Sequence, residues 1–188
     1  MRAAGVSAAI LAGGQSSRMG QDKALLPFGG RESLMAYQYY RLRPFFDEVY
    51  LSLKSDKCDF KAPILYDHAE ISAPLVALVA ILRAVPTRRV FVIAVDTPFF
   101  DASAIEQLLS VDAPVVMPKT PSGTHPLCAV YDRSVLTAFE VALSRGALGL
   151  HRTLEKLRVE TVDFEEALLS NLNHPQEYKA AGGLCESV

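Results

Sequence analysis

Two adjacent glycines, Gly13 and Gly14, follow an apolar run at residues 6–10, and two cations, Arg18 and Lys23, come shortly after them. Glycine has no Cβ, so backbone N–H groups at such a strand end can approach a ligand closely. Lysine supplies a point charge and arginine a planar fork, and both suit phosphate oxygens. The stretch Leu11, Ala12, Gly13 and Gly14, with Arg18 and Lys23 at its mouth, is expected to cradle a nucleoside triphosphate. A strand followed by Gly-Gly can also be no more than a tight βα turn. Arg18, Gly20 and Lys23 at set positions beyond the glycines favour the phosphate reading. Two other phosphate loops are excluded: the chain has no Gly-Lys pair for a P-loop, and no G-x-G-x-x-G follows a candidate strand.

Further along, polar residues end or break other apolar runs. Ligands of open α/β sheets bind beyond the carboxyl ends of the strands. Ser52, Asp67 and Asp96, at the expected ends of the second, third and fourth strands, would then share one crevice with the glycine pair. An aspartate at a strand end is also a common helix cap. Asp96 is singled out by its surroundings: residues 90–95 are all apolar, and Pro98 cannot continue a central strand. The chain must turn where this carboxylate emerges. A triphosphate normally arrives with Mg²⁺, a hard cation that takes carboxylate oxygen, so Asp96 is a candidate metal ligand and Mg²⁺ the expected cofactor.

Alternating strands and helices must bring these residues together. Apolar runs predict strands over residues 6–12, 48–53, 63–66, 89–95, 113–118, 125–131 and 159–164. Helical spacing predicts helices over 33–45, 74–85, 101–110, 134–143, 149–157 and 175–181, with Asp101 capping the third and Gly182-Gly183 ending the last. The helix over 74–85 is apolar on nearly all sides and belongs to the core or to an interface. The expectation is an α/β fold: a single domain over residues 1–188, with a mostly parallel, Rossmann-like sheet and helices on both faces.

Bulk properties narrow the function. Half of the 188 residues are hydrophobic, enough for a sizeable core. Nineteen basic against 21 acidic residues, with no basic stripe, give no reason to expect nucleic acid or an anionic membrane as partner. Cys58, Cys128 and Cys185 are widely separated and lack metal-site spacing, which fits a reducing cytoplasm. No apolar run reaches the roughly 18 residues of a membrane span.

The run LAGGQSSRMGQDK closely resembles the N-terminal signature LAGG-x-S-x-RMG-x-DK of the molybdenum cofactor guanylyltransferases, matching every fixed position. The resemblance extends over the whole chain, tightly at its start and loosely after about residue 100. It implies a nucleotide-diphospho-sugar transferase-like fold and transfer of GMP from GTP to molybdopterin, with hand-over to molybdoenzymes or insertion chaperones. It also implies roles for individual residues. Asp96 falls on the Asp of the family's metal-holding D-x-P, and Asp67 on a position that contacts the nucleotide. Ser52 stands where relatives often carry Asn. His125-Pro126-Leu127 resembles the family's H-P-L strand, and His125 is a candidate donor to the acceptor's phosphate or pterin. Satisfaction of that ring by backbone is an equal alternative. Asn171-Leu172-Asn173 resembles N-x-N, making Asn173 a candidate second metal ligand, with an Asx turn or helix cap as the alternative. The chain departs from the family at Ala73 and Ala77, where glycines are usual, and at His174, where Thr is usual. These departures bear on substrate preference. A CTP-using or other-acceptor transferase, or a non-catalytic nucleotide-binding partner protein, shares most of the same residues.

Overall fold

The computed structural model describes residues 3–14, 22–67, 71, 73–172 and 175–181. Among them the strands are β1 (Val6–Leu11), β2 (Val49–Leu53), β3 (Ile64–Tyr66), β4 (Arg89–Ala94), β5 (Val115–Thr120), β6 (Gly123–Thr124), β7 (Cys128–Asp132) and β8 (Val159–Asp163). The α-helices are α1 (Leu34–Leu42), α2 (Pro74–Ala84), α3 (Ala102–Ser110), α4 (Leu136–Ser144), α5 (Leu150–Leu154) and α6 (Pro175–Ala180).

The sheet runs β3-β2-β1-β4-β7-β5-β6, with β8 on β5. Strands β3, β2, β1 and β4 are parallel, as is the β5–β8 pair. The strand β7 lies antiparallel between β4 and β5, so the mostly parallel sheet is mixed on that side. The chain moves outward from β1 to β3, then returns to lay β4 on the other side of β1. That reversal is a topological switch point between the carboxyl ends of β1 and β4.

Unbroken apolar strands at the centre feed two cores at once. Phe91 and Ile93 of β4 pack with Ile10, Leu34, Leu42 and Leu108 on the face covered by α1 and α3. Val90 and Val92 pack with Leu78, Leu82 and Phe139 on the face covered by α2 and α4. Successive strand side chains point to opposite faces, so a strand covered on both must be apolar throughout.

Local chemistry sets the element ends. Ser33 Oγ accepts from Ala36 N at 3.1 Å and caps α1. Asp101 Oδ1 accepts from Ala104 N at 2.9 Å and caps α3, as expected from sequence. Helix α2 opens on Pro74 without a side-chain cap, because Ala73 has no group to offer. Several expected boundaries need correction, among them the fifth strand, which runs Val115–Thr120 rather than over 113–118. The first helix stops at Leu42, ahead of Pro44, which has no N–H to continue it. Helix α5 ends at Leu154, short of residue 157. Residues 125–127 are outside β7: His125 and Cys128 close a tight turn, Cys128 N donating to His125 O at 3.0 Å, and Pro126 between them has no ladder donor. Ser52 lies inside β2, which runs on to Leu53. The Gly182-Gly183 stop is outside the described residues.

Candidate active site

Leu11 and Ala94 are the last partners of the β1–β4 ladder, and the chain beyond each, Gly13 and Gly14 on one side and Asp96 on the other, lines the same cleft. Val95 N donates to Leu11 O at 3.0 Å, prolonging the ladder up to the turn. On the other flank Ala12 N donates to Ser52 O at 3.0 Å, and Asp67 N donates to Leu53 O at 2.8 Å. The carboxyl ends of β3, β2, β1 and β4 thus open onto one cleft of about 310 Å³. Leu11, Ala12, Gly13, Gly14, Lys23, Ser52, Asp67 and Asp96, all singled out from sequence, lie on its wall. Ala73, Pro74 and Ala77 of the α2 start lie there too, so one side of this apolar helix borders the cleft rather than the core.

The two glycines differ in what surrounds them. A Cβ on Gly13 would come within 3.3 Å of both the Cγ and the backbone N of Lys54, the first residue beyond β2. Among the described residues, no atom lies within 4 Å of a Cβ built on Gly14. Close approach of two strand ends therefore crowds Gly13, while no described atom crowds Gly14.

Lys23 and Asp96 meet across the cleft. Lys23 starts a 3-10 turn, Lys23–Leu25, and its Nζ donates to Asp96 Oδ2 at 2.5 Å. The same Nζ lies 3.4 Å from Leu172 O. The two side chains are 17% and 18% exposed, sheltered but still reachable from the cleft. Asp22 shapes this loop with both carboxylate oxygens. Oδ1 accepts from Ala24 N at 3.1 Å, and Oδ2 accepts from Lys57 Nζ.

The tail of the chain returns to the same turn. Leu172 N donates to Asp96 O at 2.9 Å, and Thr97 Oγ1 donates to Asn171 Oδ1 at 2.9 Å. Arg18, Asn173 and His174 lie outside the described residues.

His125 is set apart from this wall, where Leu127 is the contributor from its segment. Its partners fix its protons. Ser122 Oγ gives its one proton to the Glu166 carboxylate at 2.6 Å, and so must accept from Thr120 Oγ1 at 3.0 Å. Thr120, having donated, can only accept from His125 Nε2 at 2.9 Å. The ring is held with its proton on Nε2. Its Nδ1 accepts when the ring is neutral and donates only when the ring is charged. Burial pushes the His125 pKa below the ordinary histidine value, against a smaller opposing pull from Glu166. This side-chain pairing replaces the backbone satisfaction weighed from sequence.

Sequence reading passed over three groups. Lys54 sits on the cleft at the first position after β2. Lys57 braces Asp22. Gln38 is fully buried on α1; the available signal was a lone amide on an otherwise apolar helix stripe.

A hard divalent cation fits this donor set in one specific way. Among the described residues, no group of three or more His, Cys, Asp and Glu is placed to hold a metal. Mg²⁺ commonly binds through one or two carboxylates plus substrate phosphates, and Asp96, whose Oδ2 is engaged by Lys23, offers one such carboxylate to the cleft.

Residues 8–162 match the MobA-like NTP transferase domain. The chain is 31% identical over 176 residues to a molybdenum cofactor guanylyltransferase of Campylobacter jejuni (strain RM1221), covering 90% of this chain and 92% of that protein. It is 30% identical over 180 residues to the one of Helicobacter pylori (strain G27), covering 92% and 89%. Among solved structures, molybdopterin-guanine dinucleotide biosynthesis protein A from Archaeoglobus fulgidus superposes with a TM-score of 0.79 at 23% identity, covering 94% of this chain and 96% of that one. The 2-C-methyl-D-erythritol 4-phosphate cytidylyltransferase of Thermus thermophilus superposes with a TM-score of 0.73 at 20% identity, covering 96% and 97%. These two likenesses show the shared α/β fold.

Proposed function

The chain belongs to the MobA-like NTP transferase family and, within it, to the molybdenum cofactor guanylyltransferases, and on that premise we propose that it transfers GMP from GTP to molybdenum-loaded molybdopterin. The products are molybdopterin guanine dinucleotide and pyrophosphate. A new bond forms between the acceptor's terminal phosphate oxygen and the α-phosphorus of GTP. The bond from that phosphorus to the bridging oxygen of pyrophosphate breaks, and the oxygen keeps the electron pair.

One observation carries the reading: Lys23 and Asp96, 73 positions apart, meet at 2.5 Å on a cleft floored by the glycine pair. A phosphate nucleophile is already anionic near neutral pH, so the chain need not supply a strong base. The barrier is the meeting of two anions in line. Catalysis then rests on positioning and preorganised charge. The Gly13 and Gly14 amides hold the phosphates, and Leu11, Ala12, Ser52 and Asp67 hold the nucleoside. Lys23, with Arg18, carries positive charge to the α-phosphate and the leaving pyrophosphate. Asp96, with Asn173, would hold Mg²⁺, which when bound neutralises triphosphate charge. His125, which donates from Nε2 to Thr120 and whose ring burial keeps neutral, presents an Nδ1 that accepts, so it can take an N–H of the pterin and does not act as the phosphate donor expected from sequence. Hand-over of the product to molybdoenzymes or insertion chaperones, in the cytoplasm, completes the proposal. Among the described residues no helix is long and apolar enough to cross a membrane.

The test supplies purified protein with Mg²⁺, molybdenum-loaded molybdopterin and GTP, CTP, ATP or UTP in turn, following pyrophosphate and dinucleotide. Product with GTP alone is the expected result. Product with CTP overturns the base assignment and leaves the mechanism; no product with any nucleotide overturns the reaction.

A further inference from the structure

The turn that carries Asp96 is gripped from beneath by a side chain that the chemistry above leaves unused. Gln38 is fully buried on α1. Its Nε2 donates to Val95 O and to Thr97 O, each at 3.1 Å. Both amide protons point at this turn, closest to the carbonyls of the residues on either side of Asp96, with Ala94 O further off at 3.5 Å. Its Oε1 accepts from Arg41 Nε at 2.7 Å, and Arg41 Nη1 donates to Phe100 O at 2.8 Å. A guanidinium can only donate, so Arg41 fixes which end of the amide is oxygen and keeps the NH₂ toward the turn. The turn closes on itself through Thr97 N to Ala94 O at 3.2 Å, and among the described residues its backbone is also held by Val95 N to Leu11 O at 3.0 Å and Leu172 N to Asp96 O at 2.9 Å.

A buried amide stabilises little more than an apolar side chain of like size, and costs free energy wherever a partner is missed. Gln38 is the one buried amide of α1, whose other buried residues are Leu34, Met35, Ala36, Tyr39 and Leu42, and an apolar residue in its place would leave the Val95 and Thr97 carbonyls without these donors. What the amide adds is a fixed direction for the two peptide carbonyls flanking Asp96. We infer that Gln38 is a positioning residue for Asp96, holding its carboxylate aimed into the cleft, with Arg41 locking the amide that does so. The inference rests on the role proposed for Asp96. It makes α1 the frame for both charged groups, because Leu34 N at its start also donates to Leu26 O, just past the Lys23 turn, at 2.8 Å.

The test uses the full chain with a non-transferable α,β-methylene analogue of GTP, and Mn²⁺ titrated calorimetrically into the complex. Gln38→Met keeps volume and removes the donors. Gln38→Ala removes the donors without adding charge, leaves room for water at the two carbonyls, and serves if the first variant fails to fold. Either variant is expected to weaken Mn²⁺ by about tenfold, while metal-free affinity for the analogue changes by less than about threefold. In turnover, kcat should fall with KM for GTP held within about threefold. Adding Gln38→Met to Asp96→Asn should change Mn²⁺ affinity by no more than about twofold beyond Asp96→Asn alone, because the tie then has nothing left to aim. Wild-type Mn²⁺ affinity in a folded Gln38 variant overturns the inference. So do losses that multiply in the double variant, or an equal loss of metal-free nucleotide binding. If Asp96→Asn itself binds Mn²⁺ like the wild type, the reading of Asp96 fails first and takes this inference with it.

Discussion

Lys23 brings one preorganised cation to the cleft, and its removal separates charge from shape. Lys23→Ala should lower kcat by on the order of 10²-fold, the usual effect of losing one such donor, and steady-state rates with saturating GTP check it. A loss below about threefold would take Lys23 out of the mechanism. The glycines make a finer distinction. A Cβ on Gly14 meets no described atom, so Gly14→Ala should leave the urea midpoint unchanged yet weaken GTP binding by about tenfold or more through its approach to the phosphates. Equal GTP affinity in that variant would remove the Gly14 amide from the phosphate site. His125 yields a pH prediction. Burial holds its folded pKa below the ordinary value, so between the two values the unfolded chain takes up a proton that the folded chain resists. Stability contributed by the neutral ring is complete above the ordinary value and is lost as pH falls through the window beneath it. Urea midpoints of the wild type should therefore decline from about pH 7 to about pH 5 more steeply than those of His125→Gln. Parallel curves would contradict the assignment.

Helix α1 is the element on which the site depends most. It packs Leu34, Met35, Tyr39 and Leu42 into the core while its one buried amide ties the Asp96 turn. Loss of its cap in Ser33→Ala should destabilise the fold by about 1 kcal/mol, read from equilibrium urea unfolding. An unchanged midpoint would mean that water or another group replaces the Ser33 oxygen at Ala36 N. The element was legible in sequence through its spacing and cap; the task of Gln38 was not. A glutamine on an apolar stripe does not say which backbone it will meet, and its partners lie 56 to 59 residues away. The β7 strand shows the same limit from the other direction. Its apolar residues announced a strand, but direction and start depended on the His125–Cys128 turn and on pairing with β4.

At the scale of the molecule, the cleft lies at the switch point between β1 and β4, with separate cores on the two faces of the sheet. A ligand there would add contacts between the ends of β1, β2, β3 and β4 and the start of α2. Mg²⁺ with GTP should therefore stabilise the whole fold, by about 2.7 kcal/mol at about a hundredfold excess over Kd. A thermal scan that shows no rise in Tm with GTP and Mg²⁺ would count against nucleotide binding at this cleft. The sequence by itself determined the covalent signature LAGGQSSRMGQDK, the two-faced apolar strands and the polar residues that end them, because residue type and short-range spacing are local properties. From these the α/β class and a cleft at the carboxyl ends of the strands could be anticipated. Tertiary structure alone decided that Lys23 reaches Asp96, that Lys54 crowds Gly13, that His125 turns toward Thr120 and Glu166, and that Gln38 holds the carbonyls beside Asp96. Each of those is a contact between distant segments, fixed by strand order and register, and no local spacing encodes which partner a side chain will meet.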